Sequence, residues 1–268
     1  MSTVNDCVLT GDNQRIEICC LGRFSIRRQT DSAPVFLQVS SRPLALLQLL
    51  VTAGREGCER SEAEVKLWPR AQVGLSESAL DTTLYRLRGL IGNQRAVIVE
   101  KGMIRLNERC VSIDAWRFSI EAEAFCAQLQ MPASAAESGA IEATCNQLFE
   151  CYQGRFFAQD LESPWVAKVR DVLQSKFLRS IKLAGRYWQS IQHWERAIQL
   201  YERALEIDNL AEELHRELMR CHLAQREFAD VVRVFRRCRE LLSVVMSVAP
   251  SDATEIIYRQ ALAGQVRL

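Results

Sequence analysis

The sequence predicts an α+β winged helix-turn-helix domain followed by an all-α, tetratricopeptide-like helical repeat domain. Between residues 16 and 113, short β-like runs precede three amphipathic helices, and a hairpin-like pair of β runs follows the third helix. This is the element order of a winged helix. After residue 115 the pattern becomes helical and repeats every 34 residues, which is the period of a tetratricopeptide unit. We therefore place the domains at residues 1–115 and 116–268.

The first β runs and the first two helices are predicted from alternation and from helix-start signals. A helix is expected from Arg42 because Pro43 favours the first turn, and Gly54 ends it. A second, short helix is expected from Ser61, because Ser61 and Glu64 have the spacing of a capping box. The β-like runs are residues 16–20, 24–26 and 35–39.

The third helix, residues 76–91, is the candidate recognition helix. Its apolar residues recur at helical spacing, which predicts one buried stripe. The remaining side chains are hydroxyls, one aromatic ring and guanidinium groups, which can donate hydrogen bonds to phosphate oxygens and to base edges in a major groove. The buried stripe consists of Leu80, Leu84, Leu87 and Ile91, and the opposite face of Ser78, Thr82, Thr83, Tyr85, Arg86 and Arg88.

A hairpin is predicted directly after this helix. Residues 97–99 and 103–106 are short β-like runs on either side of a turn that contains Gly102. In a winged helix this hairpin contacts the DNA backbone beside the recognition helix. Lys101 and Arg105 place positive charge there, as phosphate contacts require.

The 34-residue repeat rests on four aligned pairs of residues. In each unit an aromatic residue, a small or β-branched residue, a second aromatic residue and a second small residue follow at helical spacing. Such alternation lets paired helices pack closely, and we expect Tyr201 to lie in the core. The first unit has Trp194, Ala197, Tyr201 and Ala204, and the second has Phe228, Val231, Phe235 and Cys238.

Composition and motifs argue against an enzyme. No phosphate-binding glycine motif occurs, and the three histidines form neither a catalytic group nor a metal site, so we expect no catalytic residue, cofactor or metal. Ten cysteines without a CxxC pair are expected as free thiols. Since no apolar run is long enough to cross a membrane and no signal peptide is visible, a cytoplasmic protein that does not bind membranes is expected.

Net charge gives DNA binding little support. Residues 1–115 carry fifteen Lys and Arg against thirteen Asp and Glu, and the remainder nineteen against twenty. A strongly basic domain would have indicated nucleic acid directly. Any DNA binding must therefore depend on the local placement of cations.

The winged helix half resembles the response-regulator-type domain of bacterial transcriptional activators, among them the antibiotic regulatory proteins of actinomycetes. The second half resembles the bacterial transcriptional activator domain that follows it in this family. The resemblance rests on residues 42–47 (RPLALL), 67–69 (LWP), 79–88 (ALDTTLYRLR), 114–118 (DAWRF), 152–157 (YQGRFF), 204–208 (ALEID), 212–219 (EELHRELM) and 249–254 (APSDAT).

The resemblance implies a DNA-binding transcriptional activator. Thr83 and Arg86 match positions that face bases or phosphates in the family, and Trp68 and Arg88 match positions that contact the DNA backbone. Family members bind direct repeats as adjacent protomers and recruit RNA polymerase, so double-stranded DNA, RNA polymerase and a second copy of the chain are the implied partners. The chain departs from the family at Ser78 and Thr83, where Arg or His is frequent.

Two alternatives remain open from the sequence. The first is an adaptor or ligand sensor that keeps the fold and acts through protein–protein contacts, which the nearly neutral charge favours. The second is a stand-alone copy or fragment of a larger sensor that functions only in a complex. Salt-sensitive binding of duplex DNA distinguishes a DNA-binding regulator from an adaptor.

Overall fold

The computed structural model describes residues 15–28, 35–36, 41–70, 75–130, 138–159 and 163–265. In chain order, the strands are β1 (Ile16–Cys19), β2 (Ser25–Arg27), β3 (Val35–Phe36), β4 (Cys58–Glu59), β5 (Val97–Glu100), β6 (Met103–Leu106) and β7 (Val111–Ile113). The helices are α1 (Arg42–Ala53), α2 (Arg60–Leu67), α3 (Leu75–Ile91), α4 (Asp114–Gln130), α5 (Ser138–Cys151), α6 (Pro164–Ser190), α7 (Trp194–Ile207), α8 (Glu212–Ala224), α9 (Phe228–Leu241) and α10 (Asp252–Gln265), with a π-helical turn at Leu242–Met246.

The chain divides into two units. The first contains residues up to Arg117 together with Arg155–Arg170, and the second contains Phe118–Gly154 and Asp171–Leu268. The sequence prediction placed a boundary between residues 115 and 116, and it did not associate Arg155–Arg170 with the first domain. The first unit is therefore discontinuous in sequence.

A four-stranded sheet in the order β3-β2-β1-β7 forms one part of the first unit. β1 pairs antiparallel with β2 and parallel with β7, with Ile18 opposite Ile26 on one side and opposite Ile113 on the other. All three isoleucines are buried. The predicted third run extended to residue 39, and its residues 37–39 lie outside the described residues.

The carboxylate of Asp114 connects the end of β1 to the start of α4. Its two oxygens accept hydrogen bonds from the backbone N–H of Cys20, Leu21 and Ala115 at 2.7–3.0 Å, and the Cys20 thiol donates to it at 2.8 Å. Asp114 is 7% exposed. Burial raises the pKa of this carboxyl, while the hydrogen bonds oppose the rise.

Residues 155–170 are held in the first unit by the segment that follows β1. The backbone N–H of Phe157 donates to the carbonyl of Cys20 at 2.8 Å, and Leu21 forms a β-bridge with Phe156. The ring of Phe157 contacts Phe24 at a centroid distance of 5.3 Å. The side chain of Arg170 donates to the carbonyls of Phe156 and Phe157 at 2.9 Å.

The second sheet is the wing, and it has three strands in the order β4-β6-β5. The hairpin of β5 and β6 was predicted, and β4 was not. β4 has only two residues, Cys58 and Glu59, which pair with Ile104 and Met103 of β6. Gly57 precedes it at φ +75°, where a Cβ atom would lie 2.0 Å from the carbonyl oxygen of Ile104. Only glycine fits this close approach.

The helical unit contains the predicted repeat. α7 and α9 begin 34 residues apart, at Trp194 and Phe228, and each packs against the helix that follows it. The two aromatic core positions of the repeat, Tyr201 and Phe235, are 0% and 3% exposed. Tyr201 packs directly on Gly185 of α6, where an added Cβ would lie 2.0 Å from its hydroxyl.

The second helix pair is joined by a longer connection than the first. Asn209 lies between α7 and α8, whereas the π-helical turn Leu242–Met246 extends α9 before α10. Ser247 follows this turn at φ +56°. Phe235 of α9 stacks on Tyr258 of α10 at a centroid distance of 4.1 Å, so the longer connection still returns α10 to the repeat.

The described cysteines are free thiols, as the sequence predicted. Most are buried, and burial raises the pKa of Cys58 to about 11 and that of Cys221 and Cys238 to about 12. A buried thiol with a raised pKa is an unreactive, small apolar side chain.

Tyr201→Ala is expected to destabilise the helical unit. Removal of a fully buried aromatic ring costs about 3–5 kcal/mol of the free energy of unfolding. Tyr201→Phe, which loses the hydrogen bond that the hydroxyl accepts from Gln189 at 3.2 Å, should cost about 0.5–1.5 kcal/mol. Urea unfolding followed by circular dichroism measures both. The exposed neighbour Glu202→Ala serves as control, and a loss below about 0.5 kcal/mol for Tyr201→Ala would contradict the core assignment.

The stability of the helical unit is expected to fall as the pH is lowered below about 6.5. Burial lowers the pKa of His215, which donates from Nε2 to the carbonyl of Asn209 at 2.9 Å while its Nδ1 is buried without a partner. Because the unfolded chain binds this proton more tightly, the stabilisation is complete above the unfolded pKa and is lost below it.

The pH dependence is measured by urea unfolding of wild type, His215→Gln and the exposed control His193→Gln between pH 5 and 8. His215→Gln should flatten the slope of stability against pH, whatever it does to the absolute value. An unchanged slope in His215→Gln, or a flattened slope in His193→Gln, would show that another group is responsible.

Candidate nucleic-acid interface

α3 is positioned by its buried stripe. Leu80, Leu84, Leu87 and Ile91 are 0–3% exposed, as predicted, and the helix packs against α1 and α2. At its beginning, the hydroxyl of Ser76 donates to the carboxylate of Glu64 in α2 at 3.3 Å. The apolar stripe fixes which side chains of α3 face outward.

The C-terminal end of α3 is fixed by a guanidinium group. Arg28 donates from Nε to the carbonyl of Ile91 at 2.9 Å and from Nη2 to that of Leu90 at 2.7 Å. Gly92 follows at φ +85°, and a Cβ atom there would lie 2.6 Å from Nε of Arg28. Cations favour helix C-termini because the last carbonyls lack intrahelical donors.

Four of the predicted residues lie together on the outer face of α3. Ser78, Thr82, Tyr85 and Arg86 are exposed, and the Tyr85 ring is the most prominent at 71% exposure. In the described part of the chain, Arg86 forms no ion pair. The face therefore offers two hydroxyls, a phenol and an uncompensated guanidinium group.

Thr83 does not lie on this outer face, and its predicted position there is wrong. It is 5% exposed, and its hydroxyl donates to the carbonyl of Ala79 one turn earlier at 2.8 Å. The helical spacing explains this, because Thr83 follows Leu80 by three residues and lies on the same side. Thr82, its neighbour, is exposed and forms the same bond to Ser78 at 3.0 Å.

Arg88 connects α3 to the wing. Its Nε and Nη2 atoms donate to the carbonyl of Val97 at 3.2 and 2.9 Å. Val97 is the first residue of β5. The guanidinium group that was predicted to contact DNA thus holds the hairpin against the helix.

The tip of the wing is a two-residue turn between β5 and β6. Lys101 and Gly102 have φ of +51° and +81°, as in a type I′ hairpin turn. The Lys101 side chain is exposed and forms no ion pair among the described residues. Arg105 is paired with Glu100 at 3.1 Å, so its charge is largely compensated within the wing.

Trp68 lies directly after α2 and is partly exposed. The guanidinium group of Arg42, at the start of α1, lies 5.9 Å from the centroid of its ring. Such a separation is typical of a cation–π contact. Trp68 therefore places a second guanidinium group at the surface of the three-helix arrangement.

Two acidic residues, Glu77 and Asp81, lie on the outer face of α3, and the sequence prediction of the site did not include them. Asp81 is exposed on α3 and is paired with Arg60 of α2 at 2.8 Å, and Glu77 is exposed one turn before it. Their positions four residues apart, in line with Tyr85, were visible in the sequence. The first half of the outer face is thus acidic, and the uncompensated cations Arg86 and Lys101 belong to its second half and to the wing.

One group of three potential metal ligands occurs in the described residues, although the sequence analysis expected no metal site. It consists of His222, Glu227 and Asp230 in the helical unit. His222 Nδ1 lies 2.7 Å from Glu227, and Asp230 is paired with Arg233. Each of the three side chains thus has a protein partner, although Nε2 of His222 is buried without a hydrogen-bond partner among the described residues.

The fold defines a class of protein, namely regulators that combine a winged helix-turn-helix with a tetratricopeptide-like helical domain. Residues 113–262 match the bacterial transcriptional activator domain. Since this match covers more than half of the chain, the chain belongs to the bacterial transcriptional activator domain family. The resemblance identified in the sequence is confirmed, and the family is one of transcription regulators.

A solved structure supports the fold. The chain is similar to EmbR of Mycobacterium tuberculosis, solved in complex with a low affinity phosphopeptide, at a TM-score of 0.63 and 15% sequence identity. The superposition covers 94% of this chain and 66% of the EmbR chain. At this identity the likeness concerns the fold alone, and it confirms the predicted fold class. The comparison with curated proteins gave no match.

Within the described residues, no helix combines the length and apolarity that crossing a bilayer requires.

Arg88→Met is expected to lower the protection of the wing against hydrogen exchange, and Arg86→Met is expected to leave it unchanged. Loss of a hydrogen bond from a charged donor costs about 1.5–3 kcal/mol, so amides of β5 and β6 should exchange roughly 10- to 150-fold faster. Arg86, two residues earlier and without an ion pair among described residues, is the matched control. Hydrogen exchange by mass spectrometry measures both variants. Equal protection of the wing in Arg88→Met and wild type would show that this bond does not hold the hairpin.

Proposed function

We propose that this family member binds duplex DNA through α3 and the wing and acts as a transcriptional activator. The observation that carries the proposal is the outer face of α3, where Thr82, Tyr85 and Arg86 are exposed together. Tyr85 and Arg86 carry donors that reach base edges and phosphates in a major groove, while the Thr82 hydroxyl donates to Ser78 within the helix and presents an acceptor oxygen. The wing adds Lys101, within a hairpin that Arg88 holds against the helix.

The charges of this surface set the expected strength of DNA binding. Each phosphate neutralised by a cation contributes about 0.9 to the slope of log K against log salt. Among the predicted contacts, Arg86 and Lys101 are uncompensated, Arg105 is paired, and Arg88 is bonded within the fold. We therefore propose binding with a small salt slope, in which two copies on adjacent direct repeats raise the affinity of the complex.

The helical unit is proposed to contact protein partners. Paired antiparallel helices present grooves in which partner segments bind. RNA polymerase is the partner that the family's activators imply, and a second copy of the chain on a direct repeat is another. We place this activity in the cytoplasm, where DNA and polymerase are.

An adaptor that binds protein rather than DNA is the second candidate, and one observation favours it. Glu77 and Asp81 place two carboxylates on the same helix face as Tyr85 and Arg86. Carboxylates repel phosphates, although Arg60 compensates Asp81.

The test is selection of bound fragments from the organism's own genomic DNA by the purified full-length protein, at 50 and 200 mM salt. Enrichment of a repeated half-site supports the DNA-binding regulator. An absence of enrichment at the lower salt would overturn it in favour of the adaptor.

Arg86→Ala is expected to weaken binding to the selected site by about 1–3 kcal/mol, because a guanidinium group that reads a base edge contributes this much. Lys101→Ala should lower the salt slope by about 1 and affect all sequences equally. Fluorescence anisotropy with a labelled duplex measures both. Arg236→Ala, an exposed arginine of α9, is the control, and an effect of Arg86→Ala no larger than its effect would remove Arg86 from the interface.

A further inference from the structure

A cleft of about 210 Å³ lies in the helical unit between α5 and α7, with the C-terminal part of α6 at one end. Residues 142–149 of α5 and 196–203 of α7 line it. In both helices the lining residues recur every three or four positions, which places them on one helix face. Each helix therefore presents two turns to a shared groove.

At one end of the cleft, an ion pair neutralises the charges of the lining side chains. Arg196 of α7 pairs with Glu142 of α5 at 2.6 Å, and its guanidinium group lies 4.9 Å from the ring centroid of Trp188. This ion pair spans the groove from α7 to α5 at that end. A charged ligand group gains little there, because each charge already has a partner.

The other end carries an uncompensated charge. The guanidinium group of Arg203 lies 4.2 Å from the ring centroid of Phe149, and its Nη1 donates to Oδ1 of Asn146 at 2.6 Å. Its two partners are a ring and a neutral amide, and Arg203 forms no ion pair in the described part of the chain. These contacts fix the plane of the guanidinium group and leave further N–H donors for a ligand.

The floor of the cleft is apolar, with the ring of Phe149 beneath Arg203 and that of Trp188 beneath Arg196. Phe149, Trp188 and Leu200 line the cleft and are only 1%, 3% and 8% exposed. Flat apolar walls with one fixed polar group are typical of small-molecule sites. A planar guanidinium group matches the two oxygens of a carboxylate.

We propose that this cleft binds a small aromatic carboxylate. The carboxylate pairs with Arg203, and the aromatic ring lies along the floor between the two guanidinium groups, against Leu200. Binding at this site would allow a small molecule to control the regulator through its helical unit. The proposal does not depend on DNA binding, so either can fail without the other.

Isothermal titration calorimetry of the full-length protein with 2-naphthoate tests the site, with the neutral 2-naphthamide as matched probe. The carboxylate should bind at least about tenfold tighter than the amide, as a hydrogen bond to a charged group provides. Arg203→Gln should remove this preference. Arg236→Gln, an exposed arginine of α9 outside the cleft, should leave it unchanged.

A second variant keeps the test independent of folding effects at Arg203. Gln199 is exposed and lines the cleft, so Gln199→Trp should obstruct the groove and abolish naphthoate binding without a change in thermal stability. Acetyl-Gly-Gly-Phe carries the same two groups at a peptide end and is titrated in parallel. Weaker binding of this peptide than of naphthoate supports a small-molecule site.

Three results with naphthoate and naphthamide would overturn the proposal. They are equal affinity for naphthoate and naphthamide (including no binding of either), a carboxylate preference that persists in Arg203→Gln, and naphthoate binding that survives in Gln199→Trp. Tighter binding of the peptide than of naphthoate would also overturn it, because the cleft would then be a site for a chain end.

Discussion

The buried carboxylate of Asp114 is the interaction on which the first unit depends. It accepts backbone hydrogen bonds from Cys20 and Leu21, 94 and 93 residues earlier in the chain, so it fixes the end of β1 relative to the start of α4. Transfer of a carboxylate out of water is costly unless such donors replace its hydration. Four donors, including the Cys20 thiol, bond to this carboxylate, so the position requires an acidic side chain and not an apolar one.

Side chains that fix α3 determine what the candidate interface can contain. Arg28 holds its C-terminal carbonyls, Arg88 holds the hairpin, and Thr83 bonds within the helix. Thr83 and Arg88, two residues that the sequence predicts as DNA contacts, thus form hydrogen bonds within the fold. The groups left at the surface are fewer and more nearly neutral than in a strongly basic recognition helix, which agrees with the low net charge of the chain.

The periodic features of the fold were predictable from the sequence, and the non-local ones were not. The stripe of Leu80 and Leu84, the hairpin turn at Gly102 and the core position of Tyr201 follow from spacing and residue type. Strand β4 has two residues, too few for any pattern, and it forms because Gly57 allows a close approach to β6. The burial of Thr83 could have been predicted from helical spacing, because Thr83 follows the buried Leu80 by three residues. The hydrogen bond from Arg88 to Val97 could not, because it depends on tertiary contacts.

The return of Arg155–Arg170 to the first unit has a consequence for folding during synthesis. Domains generally fold as units as the chain emerges from the ribosome, but Cys20 and Leu21 find their backbone partners Phe157 and Phe156 only after a further 130 residues or so. The intervening helices α4 and α5 are made first, so the carbonyl of Cys20 and the bridge at Leu21 have no partner until residues 156 and 157 are made. Unpaired backbone groups of an extended segment can pair with other chains, so we expect the nascent chain to be more prone to association than the finished protein.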